Sequence, residues 1–303
     1  MRLAAAAESV DFFRWVPHPE VWLLVGGLIG LYAYAGRVIG PKVVPAGTPP
    51  ITRSQKRWFT TGILLLWVAS DWPVHDIGEQ YLFLVHMSQH LVLTLVVPAV
   101  MLLATPEWLA RLVVGNGRVN AVMRRLARPV PAGAVMGLLT LVTHWPVIVN
   151  TAASNGLFHL GVHTALVTAA LLFWIPVCGP FPELRISKPA QMIYLFVQSI
   201  IPTVPGAWMI FADGAVYKTY DISARLWGIS VTSDQQVAGA IMKLIGGTFL
   251  WMIIVVIFFR WAAIQEQANG RDDTPTEREV LTWDQVERAF EDHPAPQAEH
   301  PRP

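Results

Sequence analysis

The sequence predicts an all-α, polytopic membrane protein: a bundle of seven transmembrane helices with its N-terminus outside and its C-terminus inside. Three observations point there. The 303 residues are 53% hydrophobic and only 14% charged, against roughly 25% charged in an average soluble domain. The apolar residues fall in seven blocks of about 17–27 residues, each long enough at about 1.5 Å per residue to cross a hydrocarbon core of about 30 Å. Those blocks are continuously apolar and do not alternate with period two, which argues against a barrel. Finally, basic residues collect in every second connecting segment.

Residues 1–20 are expected to form an external N-terminal segment. Its alanine run is interrupted by Glu8, Asp11 and Arg14, a poor pattern for a cleavable signal peptide. The first span, about residues 21–39, carries Gly26-Gly-Leu-Ile-Gly30, a small-residue pattern that lets another helix approach closely. The next loop holds Arg37, Lys42, Arg53, Lys56 and Arg57 with no acid, so the positive-inside rule places it in the cytoplasm. The second span, about 58–71, returns outward to a loop containing Asp71, Asp76 and Glu79. The third, about 81–105, goes back in and exits through Arg111, Arg118, Arg124, Arg125 and Arg128 against the single acid Glu107. The fourth, about 130–149, rises to an uncharged turn at Asn150–Asn155, and the fifth, about 156–178, descends to a basic loop with Arg185 and Lys188. The sixth, about 191–211, leads to an outer loop, and the seventh, about 235–261, descends again. The seven-helix domain thus covers residues 21–262. Residues 263–303 read as a cytoplasmic, largely disordered tail with a short amphipathic helix through Thr282–Phe290 and a Pro-rich end.

Several function classes are excluded or unsupported. A net charge of +1 gives no reason to invoke nucleic acid. The one cysteine, Cys178, leaves neither an intrachain disulfide framework nor a thiolate cage, so any metal must be held by His, Met and carboxylates. There is no HExxH, no CxxCH and no phosphate-cradling glycine loop. Binding, rather than enzymatic catalysis, is the expectation.

The topology places the histidines. His86 and His90 are four apart near the outer end of the third span, and His159 and His163 are four apart near the outer end of the fifth. On a helix each pair shares one face. His86 and His159 fall roughly 5–8 Å inside and His90 and His163 roughly 11–14 Å inside. His144 lies near the outer end of the fourth span and His75 in the loop above. Ionisable groups in a span are costly and usually face the bundle interior, so this concentration at one leaflet marks a metal or haem site. Imidazole suits copper, zinc, iron and nickel alike; Met87, Met209 and Met242, in the outer halves of three spans, lean the reading toward copper without excluding zinc. Asp71, Asp76, Glu79 and Asp234 lie above the cluster, placed to attract a cation or to accept the second ring N–H of a ligating histidine. Lys243, about two turns into the last span, is expected to snorkel or to pair with Asp234 or Asp71. Haem axially ligated by the two histidine pairs is the secondary reading, and a transporter or metal-free scaffold the third.

Ser70-Asp-Trp-Pro-Val-His-Asp-Ile-Gly-Glu-Gln-Tyr-Leu-Phe-Leu-Val-His-Met-Ser-Gln-His90, Pro98, Thr105-Pro106 and Ser233-Asp-Gln-Gln-Val-Ala-Gly239 resemble the CtaG family of caa3-type cytochrome c oxidase assembly factors over about residues 20–262. The resemblance implies a multi-pass protein of the bacterial plasma membrane, needed to make active haem-copper oxidase and presumed to deliver copper. It implies oxidase subunits as partners, with membrane lipid around the spans and a copper chaperone as a further candidate partner. It points to Trp72, Pro73, His75, Tyr81, His86, Met87, His90, Asp234, Gln235 and Gly239. Lys243 departs from the apolar or aromatic residue expected at its position. The combined expectation is a copper site on His86, His90, His159, His163, His144, His75 and Met87, facing the exterior, with Asp71, Asp76 and Asp234 as supporting or entry groups.

Overall fold

A computed structural model describes residues 14–222, 225–272, 283–284 and 287–288. Most of the predicted external segment and about two thirds of the tail, including five of the nine residues of the amphipathic stretch, lie outside these residues. The chain divides into two units, Met1–Phe258 and Phe259–Pro303. The second, where described, is the end of the last helix as far as Asp272 and two helical fragments.

The fold is all-α, with no strand among the described residues. Helix α1 (Pro19–Val43) is followed by α2 (Arg53–Ser70), the short α3 (Val74–Gln80), α4 (Phe83–Ala104), α5 (Glu107–Val114), α6 (Arg118–Leu126) and α7 (Pro129–Thr143). Then come α8 (Pro146–Ser154), α9 (Gly156–Cys178), α10 (Lys188–Ile210) and α11 (Val231–Ala268). Five of these, α1, α4, α9, α10 and α11, are long and apolar enough to cross a membrane, and α6 with α7, bent by 80°, would make a sixth. The expected second span is the later part of α2. That helix starts earlier, at a reciprocal capping box in which Thr52 accepts from the Gln55 N–H and Gln55 from the Thr52 N–H, and its first turn carries Arg53, Lys56 and Arg57.

Four expectations are corrected. The fourth span is not continuous to residue 149: α7 ends at Thr143, and Pro146, which cannot donate a backbone hydrogen bond, opens α8 after Trp145. The uncharged turn at Asn150–Asn155 is therefore mostly helix, and α9 is capped by Asn155, whose Oδ1 accepts the Phe158 N–H at 3.0 Å. The Asp71–Glu79 loop contains α3. The Gly26–Gly30 pattern brings no helix close among the described residues, since a Cβ at Gly26, Gly27 or Gly30 would meet nothing within 4 Å. Close approach occurs instead between α10 and α11, where a Cβ at Gly239 would lie 2.7 Å from the Gly206 carbonyl oxygen.

The main core packs Ala99, Met136, Phe173, Trp174, Leu195 and Leu250 from α4, α7, α9, α10 and α11. A second core, of Phe83, Met87, Met209, Tyr217, Tyr220, Ala238 and Met242, lies where α4 and α11 begin. Helix α4 passes through a π-type turn at Val92–Val96 before Pro98, which absorbs the hydrogen bond that Pro98 cannot donate. Helix α11 has a matching π-type turn at Ile241–Ile245. Beyond the far end of α4, Glu183 bridges Arg111 at 3.1 Å and Arg124 at 2.8 Å.

Candidate metal centre

The start of α4 is set from outside the helix. Asp234, 2% exposed, accepts the backbone N–H groups of Phe83 at 2.8 Å and Leu84 at 2.9 Å, closing two of the donors that a helix N-terminus leaves free. On the other side α3 is pressed against α4: a Cβ at Gly78 would lie 3.0 Å from the His86 nitrogen, so only glycine lets the two backbones come this close. Tyr220 donates to the Gly78 carbonyl at 3.1 Å. These contacts put Glu79, the next residue, directly against His86.

Around that point four histidines and one carboxylate converge. His86 Nδ1 and Glu79 Oε1 are 2.8 Å apart, and His159 Nε2 lies 3.4 Å from the same oxygen. Ring centroids are 4.4 Å apart for His86 and His90, 4.6 Å for His90 and His163, and 4.2 Å for His159 and His163. Two sets of ligand atoms, those of His86, His90 and His163 and those of Glu79, His159 and His163, each fit within 4.8 Å of one another. His90 Nε2 and His159 Nε2 are buried without a hydrogen-bond partner, the 3.4 Å approach to Glu79 being an ion-pair distance without hydrogen-bond geometry. A buried ring nitrogen with nothing to bind is costly unless it receives a ligand. Burial pushes the Glu79 carboxyl up, but the hydrogen bond from His86 and the charges of His86, His159 and His75 outweigh it and hold the group at about 2. An ionised carboxylate can only accept, so His86 donates through Nδ1, which leaves its Nε2, on the side away from Glu79, able to accept or to ligate.

The structure thus brings together His86, His90, His159 and His163, and sets the Glu79 carboxylate among them. His144 stands apart: it caps α7 and donates its Nδ1–H to the Thr140 carbonyl at 2.6 Å. It still lines, with His90 and Met87, both a small cavity of about 30 Å³ beside the cluster and a more apolar one of about 70 Å³ beneath it. His75 lies over the cluster, its ring parallel to His159 at 6.5 Å, and takes a hydrogen bond from Gln89 at 3.1 Å. Met87 is buried in the second core with Met209 and Met242.

The remaining acids do other work. Asp71 accepts from the indoles of Trp22 at 2.9 Å and Trp67 at 2.6 Å. Asp76 is 2.9 Å from His18 Nε2. Asp234 caps α4. Lys243 donates to Thr203 Oγ1 at 2.6 Å instead of pairing with either acid.

Sequence reasoning missed His18, whose ring meets His75 edge-on at 5.1 Å; its position before the first span, at the same membrane end as the cluster, was the available signal. It treated Glu79 only as one of several loop acids. Since α3 is a helix, Glu79 follows His75 by four residues and shares its face, a spacing invisible while the segment was read as loop.

Two curated relatives, uncharacterized proteins Mb0105 of Mycobacterium bovis and MT0111 of Mycobacterium tuberculosis, are each 24% identical to this chain over 254 residues. The aligned region is 75% of this chain but only 38% of each relative, so the chain spans well under half of their length. No solved structure matches it. The profile of the cytochrome c oxidase caa3 assembly factors (Caa3_CtaG) matches residues 30–263, which takes in every residue of the cluster, and the chain belongs to that family.

Proposed function

We propose that this protein takes up a copper ion at the Glu79, His86, His90, His159 and His163 centre and hands it to a haem-copper oxidase being assembled. It binds and transfers, and catalyses no reaction. The observation that carries this is the convergence of two unpartnered buried imidazole nitrogens, on different helices, with an ionised carboxylate. Imidazole donors beside the methionine-rich core around Met87 suit copper, and the assembly of an oxidase gives copper a destination. A space of about 30 Å³ beside the rings suits an ion or a water and not a porphyrin.

In this reading α1, α2, α4, α6 with α7, α9, α10 and α11 make seven crossings. The basic residues Arg37 to Arg57, Arg111 to Arg128 and Arg185 to Lys188 face the cytoplasm, and the copper centre faces the exterior of the bacterial plasma membrane. Oxidase subunits receive the ion there, and a copper chaperone supplies it.

Protein purified without a polyhistidine tag and exposed to Cu(I) is expected to hold one copper per chain and to show no Soret band. The His163→Ala variant is expected not to restore oxidase activity to cells lacking the wild-type protein. Absence of copper from the purified protein, or full rescue by that variant, overturns the reading.

A further inference from the structure

We propose that the cluster is two overlapping three-ligand stations sharing His163, and that one copper ion moves from an outer station (Glu79, His159, His163) to an inner one (His86, His90, His163). This rests on the copper-transfer reading above. The two ligand sets are separately compact, and His163 belongs to both. They also differ in depth and chemistry. The Glu79 and His159 side chains keep 16% and 20% of their exposure, against 12% for His86; His90 Nε2, buried without a partner as His159 Nε2 is, belongs to a ring that lines the cavity running under the cluster.

Glu79 links the stations, because the oxygen that approaches His159 at 3.4 Å also accepts from His86 at 2.8 Å. The outer station offers a carboxylate and two imidazoles, a set open to any borderline cation arriving from the membrane surface. The inner offers three imidazoles next to Met87 and favours a softer ion. An ion at the outer station exchanges its bonds to Glu79 and His159 for bonds to His86 and His90 and keeps its bond to His163 throughout. Two coordinate bonds break and two form, each incoming ring binding through an unprotonated nitrogen, and no electron is transferred. His163 cannot serve two cations side by side with only one carboxylate between them to offset their repulsion, so occupancy is one.

The test uses the full chain in detergent with Cu(I) as the probe. Wild type is expected to hold one copper. The His86→Ala/His90→Ala pair and the Glu79→Gln/His159→Ala pair are each expected still to hold one copper, about 10–100-fold more weakly, because each leaves one station intact. Glu79→Gln added to the first pair is expected to abolish binding. The second pair is also expected to load more slowly than wild type when copper is delivered by a Cu(I) chelator in a stopped-flow mixer. Two coppers per wild-type chain would overturn the proposal, as would loss of all copper from either double variant with its helical circular dichroism intact, or loading by the second pair at the wild-type rate. A wild-type protein that binds no copper would overturn the transfer reading beneath it instead.

Discussion

Asp234 Oδ2 accepts the backbone N–H of Phe83 at 2.8 Å across 151 residues of sequence. The last helix thereby caps the helix that carries His86 and His90, and the site depends on a residue that touches no histidine ring. Asp234→Ala should lower unfolding stability in detergent by about 1–3 kcal/mol, the cost of uncovering buried N–H groups, while Asp234→Asn, which retains an acceptor, should lose less. Thermal unfolding of both variants measures this, and equal melting of Asp234→Ala and wild type would remove the capping role.

Gly78 and His86 are a second such pair. A methyl at Gly78 would force α3 away from α4, and Gly78→Ala is expected to cost about 1–3 kcal/mol by overpacking and to weaken copper binding by moving Glu79. Gly30→Ala, where the space is open, is the control: it should be neutral or stabilise α1 by about 0.5–1 kcal/mol. The same melting series compares them.

His144 separates the sequence reading from the structural one. Its Nδ1 is committed to the Thr140 carbonyl, and its ring is outside both compact ligand sets. His144→Gln is therefore expected to retain one copper per chain, whereas His163→Ala is expected to lose it. Metal analysis after gel filtration decides, and loss of copper from His144→Gln would put the ring back among the ligands.

Lys243 has one hydrogen bond, to Thr203, among the contacts described for its Nζ, and carries a charge into a span. A lysine at a helix centre costs about 2.5–3.5 kcal/mol, so Lys243→Met, which loses only that hydrogen bond, is expected to raise stability by on the order of 1 kcal/mol. A lower melting temperature would show that the charge has a partner of greater worth.

Much was legible from the chain alone. Continuous apolar blocks pointed to membrane-spanning helices, because hydrocarbon leaves no solvent for backbone polar groups and helices satisfy them internally, and five of the helices, or six with the bent α6–α7 pair, are long and apolar enough to cross. The i, i+4 spacings of His86 with His90 and His159 with His163 placed each pair on one face, since helical periodicity is a local property. What required the tertiary structure was everything set by meetings between distant segments. Glu79 reaches the histidines because Gly78 lets α3 lie against α4; Asp234 serves α4 from the far end of the sequence; His144 lies outside the two compact ligand sets, at the end of α7 with its Nδ1 on the Thr140 carbonyl; the Gly26–Gly30 stripe stays open while Gly206 and Gly239 touch. Local spacing tells which side chains share a face, but which faces meet depends on packing between helices, and neither composition nor periodicity carries that information.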